Sequence, residues 1–354
     1  MIQQLGYLQL DPTNVVARNV YLVLWSRFGS FDTTVLDSLL EHDRALFETP
    51  SFLLPVSDLP LHAATIGRYR SDVSPGGPAS VDSWRSRARD WLSRNQKLKR
   101  EVLARLRRDG PIPLTAFEGR THVSWTTGDI DAERNVSVML AILQRRGEVV
   151  VAGRRRGHKL YALADGWLPK VRALPPALRG REATLRSLRA NGIATLKQLR
   201  WYSPFNRHVS AESVRALVRD GDVVPLDVEG IDETFYTLRD VDRRLRARFT
   251  GRTTLLSPFD PLIKDRERLE MLFGYRYRIE IYTPVRLRKL GFWAMPVLHG
   301  DRIVGSVDPK VDRARGVLVV NKLVKEKDAP LRAIRSATNE LAEFAGATRV
   351  EWPR

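Results

Sequence analysis

The stretch Leu103-Ala104-Arg105-Leu106-Arg107-Arg108-Asp109-Gly110-Pro111-Ile112-Pro113-Leu114-Thr115 returns further along the chain as Leu185 to Thr195, which reads L-R-S-L-R-A-N-G-I-A-T. Each copy ends a helix on Gly and starts another at, or close to, a Thr cap. A second echo follows each. Leu143-Gln144-Arg145-Arg146-Gly147-Glu148-Val149-Val150 matches Val218-Arg219-Asp220-Gly221-Asp222-Val223-Val224, each a helix end, a Gly and a β-rich run. The first run turns between Gly153 and Gly157 and returns as Lys159 to Leu163; the second turns near Glu229-Gly230 and returns as Thr234 to Leu238. Helix, turn, helix, helix and hairpin is the order of a winged helix, and finding it twice in the same order marks a repeat architecture.

Working outward, Asp11-Pro12 reads as an N-cap and first helical position. The apolar run from Val15 to Trp25 is then a helix ending near Gly29, and Thr33 to Leu40 a second helix behind Asp32. Phe52 to Val56 reads as irregular, and the Gly- and Pro-rich residues 72–82 as a boundary loop. Beyond Leu255 the pattern changes. Ile279 to Tyr282, Phe292 to Leu298, Ile303 to Asp308 and Val317 to Val320 read as strands, with a tight turn at His299-Gly300-Asp301-Arg302, and Leu331 to Phe344 as an amphipathic helix. The expected class is α+β: tandem winged-helix units with a small antiparallel-sheet module at the C-terminus. The expected divisions are 1–82, 83–170, 171–250 and 251–354.

Composition narrows the function. The chain has 354 residues, of which 43% are hydrophobic, enough to build real cores. Lys and Arg number 59 against 41 Asp and Glu, a net charge of +18 spread along the chain. Such a field attracts polyanions, DNA or RNA most commonly, with duplex DNA the expected partner here, although it also serves solubility. The absence of cysteine excludes disulfides, thiol catalysis and the common structural zinc sites. No signal peptide or membrane span is visible, so the expected setting is the cytoplasm, at the nucleoid, with no membrane partner.

Candidate DNA contacts follow from placement. Arg154, Arg155, Arg156, His158 and Lys159 surround Gly157 at the first hairpin tip, where a wing reaches phosphates or a minor groove; Arg134 and Asn135 open the preceding helix, where groove-reading side chains belong. Lys310, Arg313 and Arg315 fill the turn expected after Asp308, and six arginines fall between Arg239 and Arg252. Each cluster has the alternative of a solvated charged face. Asp260, Asp265 and Glu267 match no metal-ligand spacing and read as helix-start charges, and the six scattered histidines form no catalytic or metal constellation; no metal and no cofactor is expected.

Gln9 and Asp11, two apart on an extended segment, face one way while Leu8 and Leu10 face the other. A carboxamide can hold a water, and a carboxylate can take its proton or stabilise a developing cation. On residue chemistry alone the simpler reading is that Asp11 caps a helix and Gln9 is exposed.

Leu5-Gly6-Tyr7-Leu8-Gln9-Leu10-Asp11 with the run to Trp25-Ser26-Arg27, Leu256-Ser257-Pro258-Phe259-Asp260-Pro261-Leu262-Ile263, Phe273 to Tyr282, and Pro296 to Arg302 resemble the AlkZ/YcaQ-type DNA glycosylases, over nearly the whole chain. The resemblance implies tandem winged helices and hydrolytic release of alkylated bases, with crosslink unhooking in some members. It implies a catalytic Gln-apolar-Gln/Asp motif, here in the YcaQ-like form with Asp, and so reverses the reading of Gln9 and Asp11 to catalytic. A further helical stretch precedes the motif in similar members, which implies either a misassigned start or a truncated first winged helix. The implied enzyme is a monomeric, cofactor-free, monofunctional glycosylase acting on duplex DNA with alkylated or crosslinked bases. The main alternative is a non-catalytic winged-helix regulator, and a metal-dependent nuclease is the third class.

Overall fold

The computed structural model describes residues 1–71, 79–117, 123–125, 132–201 and 203–353, with only the backbone of 79–83 and 132–134. The chain forms two compact units, one of Met1–Thr33 with Gly180–Arg354 and the other of Thr34–Arg179. This partition is coarser than the four expected divisions, and most of the boundary loop expected at 72–82 lies outside the described residues.

From the N-terminus run α1 (Ile2–Leu5), β1 (Leu8–Gln9) and α2 (Asn19–Phe28), then α3 (Thr34–Glu41) and the antiparallel hairpin β2 (Leu46–Glu48) with β3 (Phe52–Pro55). The order helix, strand, helix, helix, hairpin is therefore already present here. Two expectations are corrected. The segment from Asp11 to Arg18 is not helical, and Arg18, not Asp11, stands at the N-cap of α2. Asp11 Oδ1 instead accepts the Thr13 amide at 2.8 Å, an Asx turn that competes with helix for the same side-chain oxygen. Phe52–Pro55 is a strand; three of its four residues are buried, so it lacks the alternation that marks a half-exposed strand.

The first repeat comprises α4 (Leu59–Arg70), α5 (Ala79–Arg94), α6 (Gln96–Asp109), β4 (Ile112–Pro113), α7 (Ala132–Arg145), β5 (Val149–Arg155) and β6 (His158–Leu163). The second comprises α8 (Pro176–Asn191), β7 (Ile193–Ala194), α9 (Leu196–Leu199), α10 (Ala211–Arg219), β8 (Val223–Val228) and β9 (Ile231–Leu238). Their sheets share one strand order, β4-β6-β5 and β7-β9-β8. The echoed glycines share a conformation too: Gly110 and Gly192 stand at φ 72° and 75°, Gly147 and Gly221 at 61° and 73°, each ending a helix where a side chain would be strained. Thr195 caps α9 in a reciprocal capping box with Gln198. In the first repeat Leu98, Val102 and Leu106 of α6 are buried with Met139, Leu140 and Leu143 of α7, one stripe per helix at helical spacing.

After α11 (Val241–Arg246), the C-terminal module holds β10 (Thr253–Leu255), α12 (Pro261–Lys264), α13 (Arg266–Phe273), β11 (Met295–His299), β12 (Arg302–Asp312), β13 (Val317–Lys325), α14 (Leu331–Phe344) and β14 (Arg349–Glu351). Its five strands run in the order β10-β11-β12-β13-β14. The first four are antiparallel as expected; β14, reached by the α14 crossover, is parallel to β13. Two strand assignments are corrected. Ile279 to Tyr282 forms no strand, and the strand expected from Phe292 starts at Met295. Lys310 lies within β12, so the turn expected at Lys310 is the one at residues 313–316. Trp25 of α2 and Trp293 are fully buried against this sheet, with Phe344 of α14 stacked on Trp25 at 6.2 Å. Among the described residues, no helix is long and apolar enough to cross a membrane.

Candidate active site

Gln9 ends β1 and Asp11 follows two residues on, both half-buried, while Leu8 is fully buried in the opposite direction. The pair is held from beneath. Asn19, at the first turn of α2, donates from Nδ2 to the Gln9 carbonyl at 2.7 Å, and its Oδ1 accepts the Ser257 hydroxyl at 2.6 Å. Asn19 and Ser257 are buried, so this chain of hydrogen bonds is shielded from competing water. The Gln9 side chain turns its Oε1 into a buried position where it has no hydrogen-bond partner among the described residues. A buried acceptor of this kind is costly unless water or a ligand meets it. Asp11 uses Oδ1 for the Thr13 amide, which leaves Oδ2 as an acceptor.

The loop beyond Asp11 is pinned as well. The Val311 amide of β12 donates to the Val15 carbonyl at 3.1 Å, and Arg313 Nη2 reaches the Val16 carbonyl and Asn14 Oδ1, both at 3.2 Å. Arg313, expected to touch DNA, thus braces the segment that follows Asp11. Arg315 is committed to Glu351 at 2.6 Å, and Lys310 is exposed.

Ser257 is tied to Asp260, whose amide donates to the Ser257 carbonyl at 2.8 Å. This fully buried carboxylate receives both terminal nitrogens of Arg27, at 2.6 and 2.9 Å, and the Leu262 amide at 2.9 Å. Burial works against the Arg27 charge, but Asp260 outweighs it and holds the guanidinium above its ordinary value. Asp260 and Asp265 cap α12 and α13, as their reading as helix-start charges expects. Among the described residues no three His, Asp or Glu side chains cluster as a metal would need.

Four residues from Asp260, Lys264 lies over the rings of Tyr7 and Trp201, 5.2 and 5.6 Å from their centres. Burial pushes its amine down to about 7, against the rings' preference for the cation. An unfolded lysine titrates near ~10.4, so between about pH 7 and about pH 10 the unfolded chain holds a proton that the folded chain has shed. Stability therefore rises with pH across that window. Lys264→Met is expected to reduce the gain from pH 7 to pH 9 by about 2 kcal/mol, read from urea midpoints; equal gains in both proteins would refute it.

The wing of the first repeat divides its charges. Arg154 pairs with the buried Glu48 at 2.5 Å and Lys159 meets the same carboxylate at 2.6 Å. Arg155, Arg156 and His158 remain exposed at the tip. Arg156 and Gly157, at φ 50° and 83°, make the two-residue turn that tight hairpins prefer. Asn135 is buried and accepts the Trp125 amide at 3.1 Å, a loop-tying role in place of groove reading. The Arg134 side chain lies outside the described residues.

Sequence reasoning gave Asn19, Tyr7, Lys264, Ser257 and Arg27 no role at this site. Nothing in their spacing marks them, because their partners stand far away in the chain.

A family model described as DNA glycosylase AlkZ-like matches residues 2–344. Among solved structures, the Streptomyces sahachiroi DNA glycosylase AlkZ is similar with a TM-score of 0.59 and 19% identity, covering 99% of this chain and 92% of that one. At that identity the likeness speaks for the fold.

Proposed function

The chain belongs to the AlkZ-like DNA glycosylase family, and from that membership we propose that it hydrolyses the N-glycosidic bond of alkylated purines in duplex DNA, with Gln9 and Asp11 as the catalytic pair. The observation that carries this reading is the support that Asn19 and Ser257 give the strand ending at Gln9, with Gln9 Oε1 buried and without a hydrogen-bond partner among the described residues, and with Asp11, two residues on, spending only Oδ1 on the Thr13 amide. Alkylation at N7 makes the purine cationic and already a good leaving group. The remaining task is to stabilise an oxocarbenium-like sugar and deliver water to it. Asp11 offers negative charge to that cation and accepts the proton of the water, which Gln9 positions. The bond from C1′ to the base nitrogen breaks, the electron pair leaves with the base, and water oxygen bonds to C1′. An abasic site results, without cleavage of the strand. The reading includes crosslinked purines as substrates, a monomeric enzyme and a cytoplasmic setting.

The test is incubation with a duplex carrying N7-alkylguanine, in EDTA. Free base and strand breaks that appear only after alkali support a monofunctional, metal-independent glycosylase. Breaks without alkali, lost in EDTA, point to a nuclease. Tight binding with no base release points to the regulator.

Arg155 and Arg156 serve as phosphate contacts in this reading, with His158 beside them. Replacing both arginines by Ser is expected to flatten the salt dependence of duplex affinity, lowering the slope of log K against log salt by about 1.8. An unchanged slope in binding titrations would remove the wing tip from the interface.

A further inference from the structure

Between Glu280 and Gly291 the chain leaves the core and turns apolar side chains outward. Tyr282 is 92% exposed, Val285 76% and Leu287 59%, whereas the flanking Ile279 and Ile281 pack against the core that buries Trp25. Three large apolar residues so exposed within one short loop mark an interaction surface.

The loop is braced from its base. The buried Glu280 carboxylate accepts the amides of Lys289, Leu290 and Gly291 at 3.0, 2.8 and 3.1 Å. The Asp308 carboxylate accepts those of Phe292 and Trp293 at 3.0 and 2.8 Å. Gly291 permits that approach, since a Cβ there would stand 2.4 Å from the Asp308 carboxylate. Across the loop Arg288 Nε donates to the Thr283 carbonyl at 2.9 Å and its guanidinium covers the Phe292 ring. A surface shaped in advance loses little freedom on binding.

Its charge selects the occupant. From Ile281 to Gly300 there is no acidic residue, while Arg286, Arg288 and Lys289 are cationic. Apolar tips among cations fit a polyanion with an apolar interior, which describes a duplex with phosphates outside and stacked bases within.

We infer that the Tyr282–Lys289 loop is a wedge that enters the base stack of bound duplex DNA, with Tyr282, Val285 and Leu287 between bases and Arg286 and Lys289 on the adjoining phosphates. This rests on the glycosylase reading for the identity of the partner, and adds how the duplex is opened.

The test uses the full chain and a duplex carrying 2-aminopurine beside an N7-alkylguanine. The variant Tyr282→Ser/Val285→Ser/Leu287→Ser alters only exposed side chains, and an unchanged melting temperature verifies its fold. Wild type is expected to raise 2-aminopurine fluorescence severalfold. The triple variant is expected to lose that rise and to slow base release, while keeping the wild-type salt slope. Unstacking by the variant equal to wild type overturns the inference. So does base release by wild type without unstacking, a result that leaves the glycosylase reading intact. Unstacking without base release by wild type supports the wedge and defeats that reading instead. Sedimentation of wild type with phosphatidylglycerol vesicles, lost in the triple variant, together with no unstacking of DNA, assigns the loop to a membrane surface and overturns the wedge.

Discussion

Asp11→Asn is expected to slow release of N7-alkylguanine from duplex DNA by about a hundredfold to ten-thousandfold, with duplex affinity little changed. The substitution keeps the shape of the side chain and an oxygen for the Thr13 amide, so the Asx turn survives. What disappears is the negative charge and the capacity to accept a proton. Both matter only as the sugar becomes cationic, so the loss falls on the chemical step and not on binding. Single-turnover rates at saturating enzyme, alongside binding titrations, make the measurement. A rate within a factor of about two of wild type would remove Asp11 from the mechanism.

Arg27→Ala carries the second large effect, on stability. Asp260 is wholly buried, and the two guanidinium bonds are its main compensation. Without Arg27 the carboxylate retains the Leu262 amide and must otherwise ionise in an apolar setting. Breaking a buried pair from one side costs about 3–5 kcal/mol. The melting temperature is expected to fall by roughly 10 °C. The double variant Arg27→Ala/Asp260→Asn separates cause from packing: with no charge left to bury, it should melt above the single variant. A double variant that melts no higher would show that the guanidinium acts by filling space. Because Ser257 precedes Asp260 closely and supports Asn19, Arg27→Ala is also expected to slow base release at temperatures where the chain remains folded.

The repeats were legible because each rests on local chemistry. A Gly at a helix end, a Thr cap and a β-rich return need no distant partner to be understood. Failures arose where one local signal serves two structures. Asp-Pro announces a helix cap and an Asx turn equally, and the decision at Asp11 is taken by β12, whose Val311 amide claims the Val15 carbonyl and holds the segment extended. The alternation from Ile279 to Tyr282 resembled a strand because two isoleucines face the core. The residue between them, Glu280, is also buried, and it ties a loop. Half of the wing's charge went to Glu48, 106 residues from Arg154, a pairing that no local pattern announces. Asn135 stands where a recognition helix begins, yet the Trp125 segment claims it.

The supports of the strand that ends at Gln9 have a further consequence, which lies in time. Arg27 waits 233 residues for Asp260, Asn19 waits 238 for Ser257, and Asn14 waits 299 for Arg313. Contacts this remote in sequence close slowly and late. At synthesis rates of about 5–20 residues per second, the strand that carries Gln9 leaves the ribosome many seconds before anything exists to hold it. A nascent chain therefore emerges with Gln9 and Asp11 first and the contacts that brace their segment last. On the proposed reading, release of bases from DNA begins only once the far end of the polypeptide has been made, and a product that stops short of Ser257 is expected to release none.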